Sequence, residues 1–214
     1  MAYNNDLVSY AGTPTYLYEG STNIFFYTNA MSSMMDWNGQ TSRYIYLNAD
    51  CSNMFKNLKY VSNWSVLNQF NWNNVTNCTY MFSGCYNLNQ PVAIGNNVTN
   101  CYRMFGSCSN FNQPVTIPNN VRDCDSMFSF CYKFNQPVTI GNNVTNCESM
   151  FYACFNFNQP ITVPNSVNNI FFMFANCRNL HSVVKLPKKF NNGVTDPFWA
   201  GCPVSVKNGT LQFY

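Results

Sequence analysis

Hydrophobic and polar positions along this chain repeat every 23 residues, far longer than the period of about 3.6 or 2 that marks a lone helix or strand. Cys78, Cys101, Cys124 and Cys147 share one column, with Ile170 one period further on, and Cys85, Cys108, Cys131, Cys154 and Cys177 form a second. Met-Phe lies between them at 81–82, 104–105, 127–128, 150–151 and 173–174. Leu or Phe follows the second Cys, then Asn-Gln-Pro, a Val-x-Ile type triplet, Gly or Pro, an Asn pair or its remnant, and Val. One unit reads C-x-x-M-F-x-x-C-x-x-[FL]-N-Q-P-V-x-I-x-N-x-V-x-x. The β-branched triplets Val92-Ala93-Ile94, Val115-Thr116-Ile117 and Val138-Thr139-Ile140 alternate inward and outward directly after a proline, which predicts three-residue strands. Repeated in register, they predict a parallel sheet, with Gly95, Gly141, Pro118 and Pro164 ending the strands. The Cys-x-x-Met-Phe-x-x-Cys segment predicts an irregular or 3₁₀-like turn with four inward side chains.

Worn copies flank the regular ones. Cys51, Met54-Phe55 and Leu58 precede them, with 27 residues instead of 23 to Cys78, and Phe198-Trp199 with Cys202 follow. Atypical end units are expected of a stacked array, whose ends must cover the core. The sequence therefore predicts a repeat solenoid, mainly β with irregular or 3₁₀ turns: a right-handed leucine-rich-repeat-like coil over 51–202. Residues 1–50 are expected to be an N-terminal cap or docking segment, and 203–214 a closing strand. A unit of 23 residues is too short for a two-helix repeat of about 33. Its single clear strand segment weighs against a right-angled β-helix with three strands per turn.

The run Val115-Thr116-Ile117-Pro118-Asn119-Asn120-Val121, followed by Met127-Phe128 and Cys131, resembles the BspA-like (Treponema-type) leucine-rich repeat. The Phe-Asn-Gln and Val-Thr-Asn-x-x-x-Met-Phe elements also resemble the related repeat of mycoplasma surface lipoproteins and of some large DNA viruses. These resemblances imply binding or adhesion by cell-surface or viral proteins, not catalysis.

Charged residues are only 9% of the chain, and 37 asparagines supply the missing polarity. A net charge of +3, thinly spread, gives no footprint for nucleic acid. No apolar run approaches the roughly 20 residues of a membrane helix, and the start lacks the basic and apolar regions of a signal peptide. The cysteines fall into two repeat columns and are odd in number (11), which favours buried free thiols over a disulfide framework or zinc sites. Asparagines are expected at turns, with their amides forming ladders between units. Asp125 and Glu148, one period apart, are the one place where acids would meet, beside Arg103 and Arg122. With a single histidine and no nucleophile motif, no catalytic residue, metal ligand or cofactor is expected, and the chain is read as non-enzymatic.

Specificity in an array lies in its variable outward columns. Here these are expected to be the two residues after the first Cys, the two after Met-Phe and the one after the second Cys. They hold Tyr86, Tyr102, Arg103, Phe130, Tyr132, Tyr152, Phe155 and Arg178, the candidate binding surface, since aromatics and Arg dominate binding hot spots. Tyr10, Tyr16, Tyr18, Phe25, Phe26, Tyr27 and Trp37 are candidate docking residues, in a segment with few charges. The expected function is structural and binding: a virion fibre, decoration or attachment component made in a host cytoplasm. The alternative is a bacterial or protist cell-surface adhesin. Expected partners are other structural proteins of an assembly, or a host-surface protein or glycan, without nucleic acid or membrane insertion.

Overall fold

In the Cys-x-x-Met-Phe-x-x-Cys segment, alternate backbone N–H groups have two different destinations. Those of Cys78, Tyr80, Phe82 and Gly84 donate to carbonyls of the next unit (Asn100, Tyr102, Met104, Gly106) at 2.8–2.9 Å. Those of Met81, Ser83 and Cys85 instead close turns onto the residue three back, at 3.0 Å. Two positions per unit adopt the left-handed conformation: the third (Asn53, Tyr80, Arg103, Ser126, Ser149, Phe172) and the seventh (Asn57, Gly84, Ser107, Phe130, Ala153, Asn176). The expected 3₁₀-like turn is thus a chain of β-turns whose free N–H groups rise into the neighbouring unit. This satisfies the backbone without a regular strand.

The computed structural model describes residues 2–8, 14–17, 45–191, 196–203 and 209–214. It is mainly β, with short parallel strands in small sheets. Strands β1 (Ala2–Val8) and β2 (Pro14–Leu17) form an antiparallel pair. β3 (Ile45–Tyr46) pairs in parallel with β4 (Phe70–Asn71), so stacking begins a few residues before position 51. β5 (Val115–Thr116) pairs with β6 (Val138–Thr139), and β7 (Ile161–Thr162) pairs with β8 (Val184–Leu186). β9 (Leu211–Phe213) pairs in parallel with β8 in that sheet, and helix α1 (Asp196–Trp199) precedes it. Among the described residues no helix is long and apolar enough to cross a membrane.

The expected continuous sheet is broken into short pieces. Val92-Ala93-Ile94 forms no strand, and β6 does not join β7. β5, β6 and β7 each follow a proline, which has no N–H to give, and each is only two residues long. Before Val92 the partner is irregular: the extra residues of the first unit lie between Val61 and Val75, taken up by a 3₁₀ turn at Ser65–Gln69. The unbroken column lies elsewhere. Asp50, Asn77, Asn100, Asp123, Asn146 and Asn169 bridge in parallel from unit to unit. In each, the side-chain oxygen accepts the N–H two residues on, at 2.8–3.1 Å, fixing the turn into the Cys segment.

The core follows the columns. Phe55, Phe82, Phe105, Phe128, Phe151 and Phe174 stack within 14° of parallel at 5.4–5.7 Å, and Trp199 continues the stack at 5.9 Å. Phe111, Phe134 and Phe157 form a second pile beside it. The ten cysteines from Cys51 to Cys177 are free thiols and buried, and Cys202 is half-buried. Those of the second column also donate: each of Cys85, Cys108, Cys131, Cys154 and Cys177 gives its S–H to a Phe carbonyl of the preceding unit at 2.9–3.0 Å.

Candidate binding surface

The left-handed turns decide which variable side chains reach water. The position after the second Cys does: Tyr86 and Tyr132 are each 42% exposed, Arg178 is exposed and Phe155 half-buried. The two positions after Met-Phe do not face solvent as expected. Gly84, Gly106, Ser129, Ala153 and Ala175 are buried there, and Phe130 and Tyr152 half-buried. The left-handed seventh residue tucks this stretch against the next unit, where mostly small side chains fit.

Five of the candidate residues come together as one band. Arg178 lies 4.8 Å over the Phe155 ring, and Phe155 stacks on Tyr132 at 4.9 Å and 8°. Tyr132 meets Phe130 edge-on at 6.4 Å, and Phe130 meets Tyr152 at 5.2 Å. The band then continues through residues not among the candidates: Tyr152 contacts Phe172 at 6.5 Å, and Phe172 contacts Phe171, 47% exposed, at 4.1 Å. Both belong to a variable column already visible in the repeat, so column membership was the signal that pointed to them. Edge-to-face and offset pairs of this kind each add a modest attraction and hold the rings rigid.

Tyr102 and Arg103 lie apart from this band, half-buried around Tyr80. Tyr80 and Tyr102 meet edge-on at 5.1 Å, Lys56 sits 4.1 Å over the Tyr80 ring and the Arg103 guanidinium 6.0 Å from its centroid. Tyr86 stands under Lys59, whose Nζ is 5.6 Å from the ring centroid. The acidic pair is tied into local bonds. Ser126 Oγ donates to Asp125 at 2.6 Å, and Asn169 Nδ2 donates to Glu148 at 2.9 Å. Partial burial raises the Asp125 pKa. Among the described residues no group of three or more His, Cys, Asp or Glu side chains is placed to hold a metal ion. The docking candidates Tyr10, Tyr18, Phe25, Phe26, Tyr27 and Trp37, and the side chain of Tyr16, lie outside the described residues.

Two overlapping stretches, residues 49–142 and 96–186, match a family model described as Mycoplasma protein of unknown function, DUF285. No curated protein and no solved structure matches the chain.

Proposed function

The chain belongs to the DUF285 family of Mycoplasma proteins of unknown function, and from that premise we propose that it is a non-enzymatic repeat protein that binds at a cell surface, an adhesin. The observation that carries this reading is the band from Phe171 to Arg178: six aromatic rings and a guanidinium in continuous contact on one face. Rings packed this way lose little conformational entropy when a partner covers them. In this reading the stacked units form a right-handed solenoid of the leucine-rich-repeat type. The parallel pairing at the 23-residue offset supports that architecture, and so do the atypical first and last units. A virion role finds no support in the family match.

The partner is a protein or glycan of another cell's surface. The test is binding of the labelled full chain to cultured epithelial cells, read by flow cytometry. Tyr152→Ala combined with Phe171→Ala should lower cell-bound signal at least tenfold while leaving the far-UV dichroism unchanged. Absence of binding by the native chain, or equal binding by the double variant, refutes the reading.

A further inference from the structure

The column after the second Cys position reads Lys59, Tyr86, Ser109, Tyr132, Phe155, Arg178: cation, ring, serine, ring, ring, cation. Its backbone keeps register throughout. The N–H groups of Asn110, Lys133, Asn156 and Asn179 donate to the carbonyls of Tyr86, Ser109, Tyr132 and Phe155 at 3.2–3.3 Å. Ser109 therefore interrupts the rings without interrupting the column.

The neighbouring contacts orient those rings. One face of Tyr86 is covered by the Lys59 ammonium, 5.6 Å from its centroid. One face of Tyr132 is covered by Phe155, nearly parallel at 4.9 Å, and Arg178 caps the far side of Phe155 at 4.8 Å. Lys59 and Phe155 belong to the outer neighbouring units, and between Tyr86 and Tyr132 the column holds Ser109, whose side chain is a single hydroxymethyl group. A ring placed there would lie one repeat from each, as Phe155 lies from Tyr132. Tyr86 and Tyr132, the two residues bordering the gap, are each 42% exposed.

The flank of the gap is made of amides. Asn110 Nδ2 donates to Asn87 Oδ1 at 3.1 Å beside it. Further along the same side runs a shallow groove of about 540 Å³, lined by five asparagines with Lys133 and His181, and by no carboxylate. Aromatic rings on either side of a gap suit a ring with C–H bonds on both sides, and neighbouring amides, which donate and accept, suit the hydroxyls around its edge. An aromatic side chain of a partner protein would fill the gap and leave the amides unused. The sparse positive charge gives no cradle for a nucleotide's phosphates.

We propose that the gap at Ser109, between the rings of Tyr86 and Tyr132, is a sandwich site for one uncharged pyranose ring of a glycan. This rests on the reading of the chain as a binding protein and names the ligand class. The test is saturation-transfer NMR on the full chain with methyl glycosides and short neutral oligosaccharides of glucose, galactose and N-acetylhexosamines. At least one should take saturation at its ring C–H protons. Ser109→Phe, which fills the gap, should weaken that binding at least tenfold without lowering the melting temperature, and Ser109→Ala should leave it within twofold. Tyr86→Ala is the second variant and should also weaken it tenfold, so the outcome does not hang on how Ser109→Phe folds. The proposal is overturned if no sugar of the panel binds, if Ser109→Phe or Tyr86→Ala binds like the native chain, or if only a tryptophan-containing peptide occupies the gap. Those failures, with cell binding still lost in the Tyr152/Phe171 variant, would leave the adhesin reading standing. Sugar binding without any cell binding would sink the adhesin reading alone.

Discussion

At the scale of single residues, the unusual feature is how many side chains other than glycine sit at positive φ. Ser107 (+62°), Phe130 (+61°) and Ala153 (+57°) occupy the seventh position of their units, where Gly84 (+75°) stands in the first regular one. Left-handed backbone costs an L-residue about 1–2 kcal/mol, which the ladder to the next unit offsets. Ser107→Gly is accordingly expected to stabilise the fold by about 1 kcal/mol, the relieved strain exceeding glycine's extra freedom when unfolded. Gly84→Ala should do the opposite. Its φ is positive, and its new Cβ would come 2.5 Å from Asn57 Oδ1. Urea midpoints of the two variants should move in opposite directions at unchanged slope.

At the scale of elements, amide ladders replace much of the expected sheet. Asn135 illustrates the device. Its N–H donates to Asn112 Oδ1 at 2.8 Å, and its own Oδ1 accepts the N–H of Asn158 at 2.9 Å and Gln159 Nε2 at 3.1 Å. Asn89 supports Asn112 and Gln113 in the same way two units earlier. This explains why Asn-Gln precedes Pro91, Pro114, Pro137 and Pro160: the amides tie units together where the proline cannot. Asn135→Ala leaves a half-buried N–H without its acceptor and should cost about 1–3 kcal/mol. Asn135→Asp keeps an acceptor oxygen and should lose distinctly less. Thermal melts of the pair separate the two effects, and equal losses would mean that the ladder contributes nothing specific. The turn role of asparagine was legible in the sequence, since the amide needs only local geometry. The fragmentation of the sheet was not, because it depends on what the preceding unit offers as a partner.

At the scale of the whole molecule, one apolar core runs through every unit and carries two columns of buried thiols. Burial raises the pKa of the ten buried thiols above the ordinary value near 9.0, to about 12 for Cys51 and well above 9.0 for Cys85, Cys124, Cys131, Cys154 and Cys177. Below pH 9 folded and unfolded chains hold these protons equally, so the thiols give stability no pH dependence there. Above it the unfolded chain releases protons that the folded chain retains, and stability falls with rising pH by about 1.4 kcal/mol per pH unit for each thiol. Many such groups titrate together. The protein should therefore unfold cooperatively between about pH 9 and 12 in an alkaline titration followed by circular dichroism. A native spectrum persisting to pH 12 would contradict burial of the thiols as a group.

The sequence by itself determined the 23-residue period, the inward columns of Cys, Met and Phe, the worn end units and the turn role of asparagine. Those features follow from spacing alone, because side chains at equal intervals in a stacked chain must share one environment. Only the tertiary structure decided which variable columns reach water. The sign of φ at the third and seventh positions is invisible in residues such as Tyr80 or Phe130, yet it buries Ala153 and leaves Tyr132 exposed. The band likewise joins Phe130 to Tyr152 and Phe172, residues from three different units and three different positions of the repeat. Contacts that run diagonally across units depend on how each turn tilts its side chain toward the next, and no periodicity along the chain encodes that tilt.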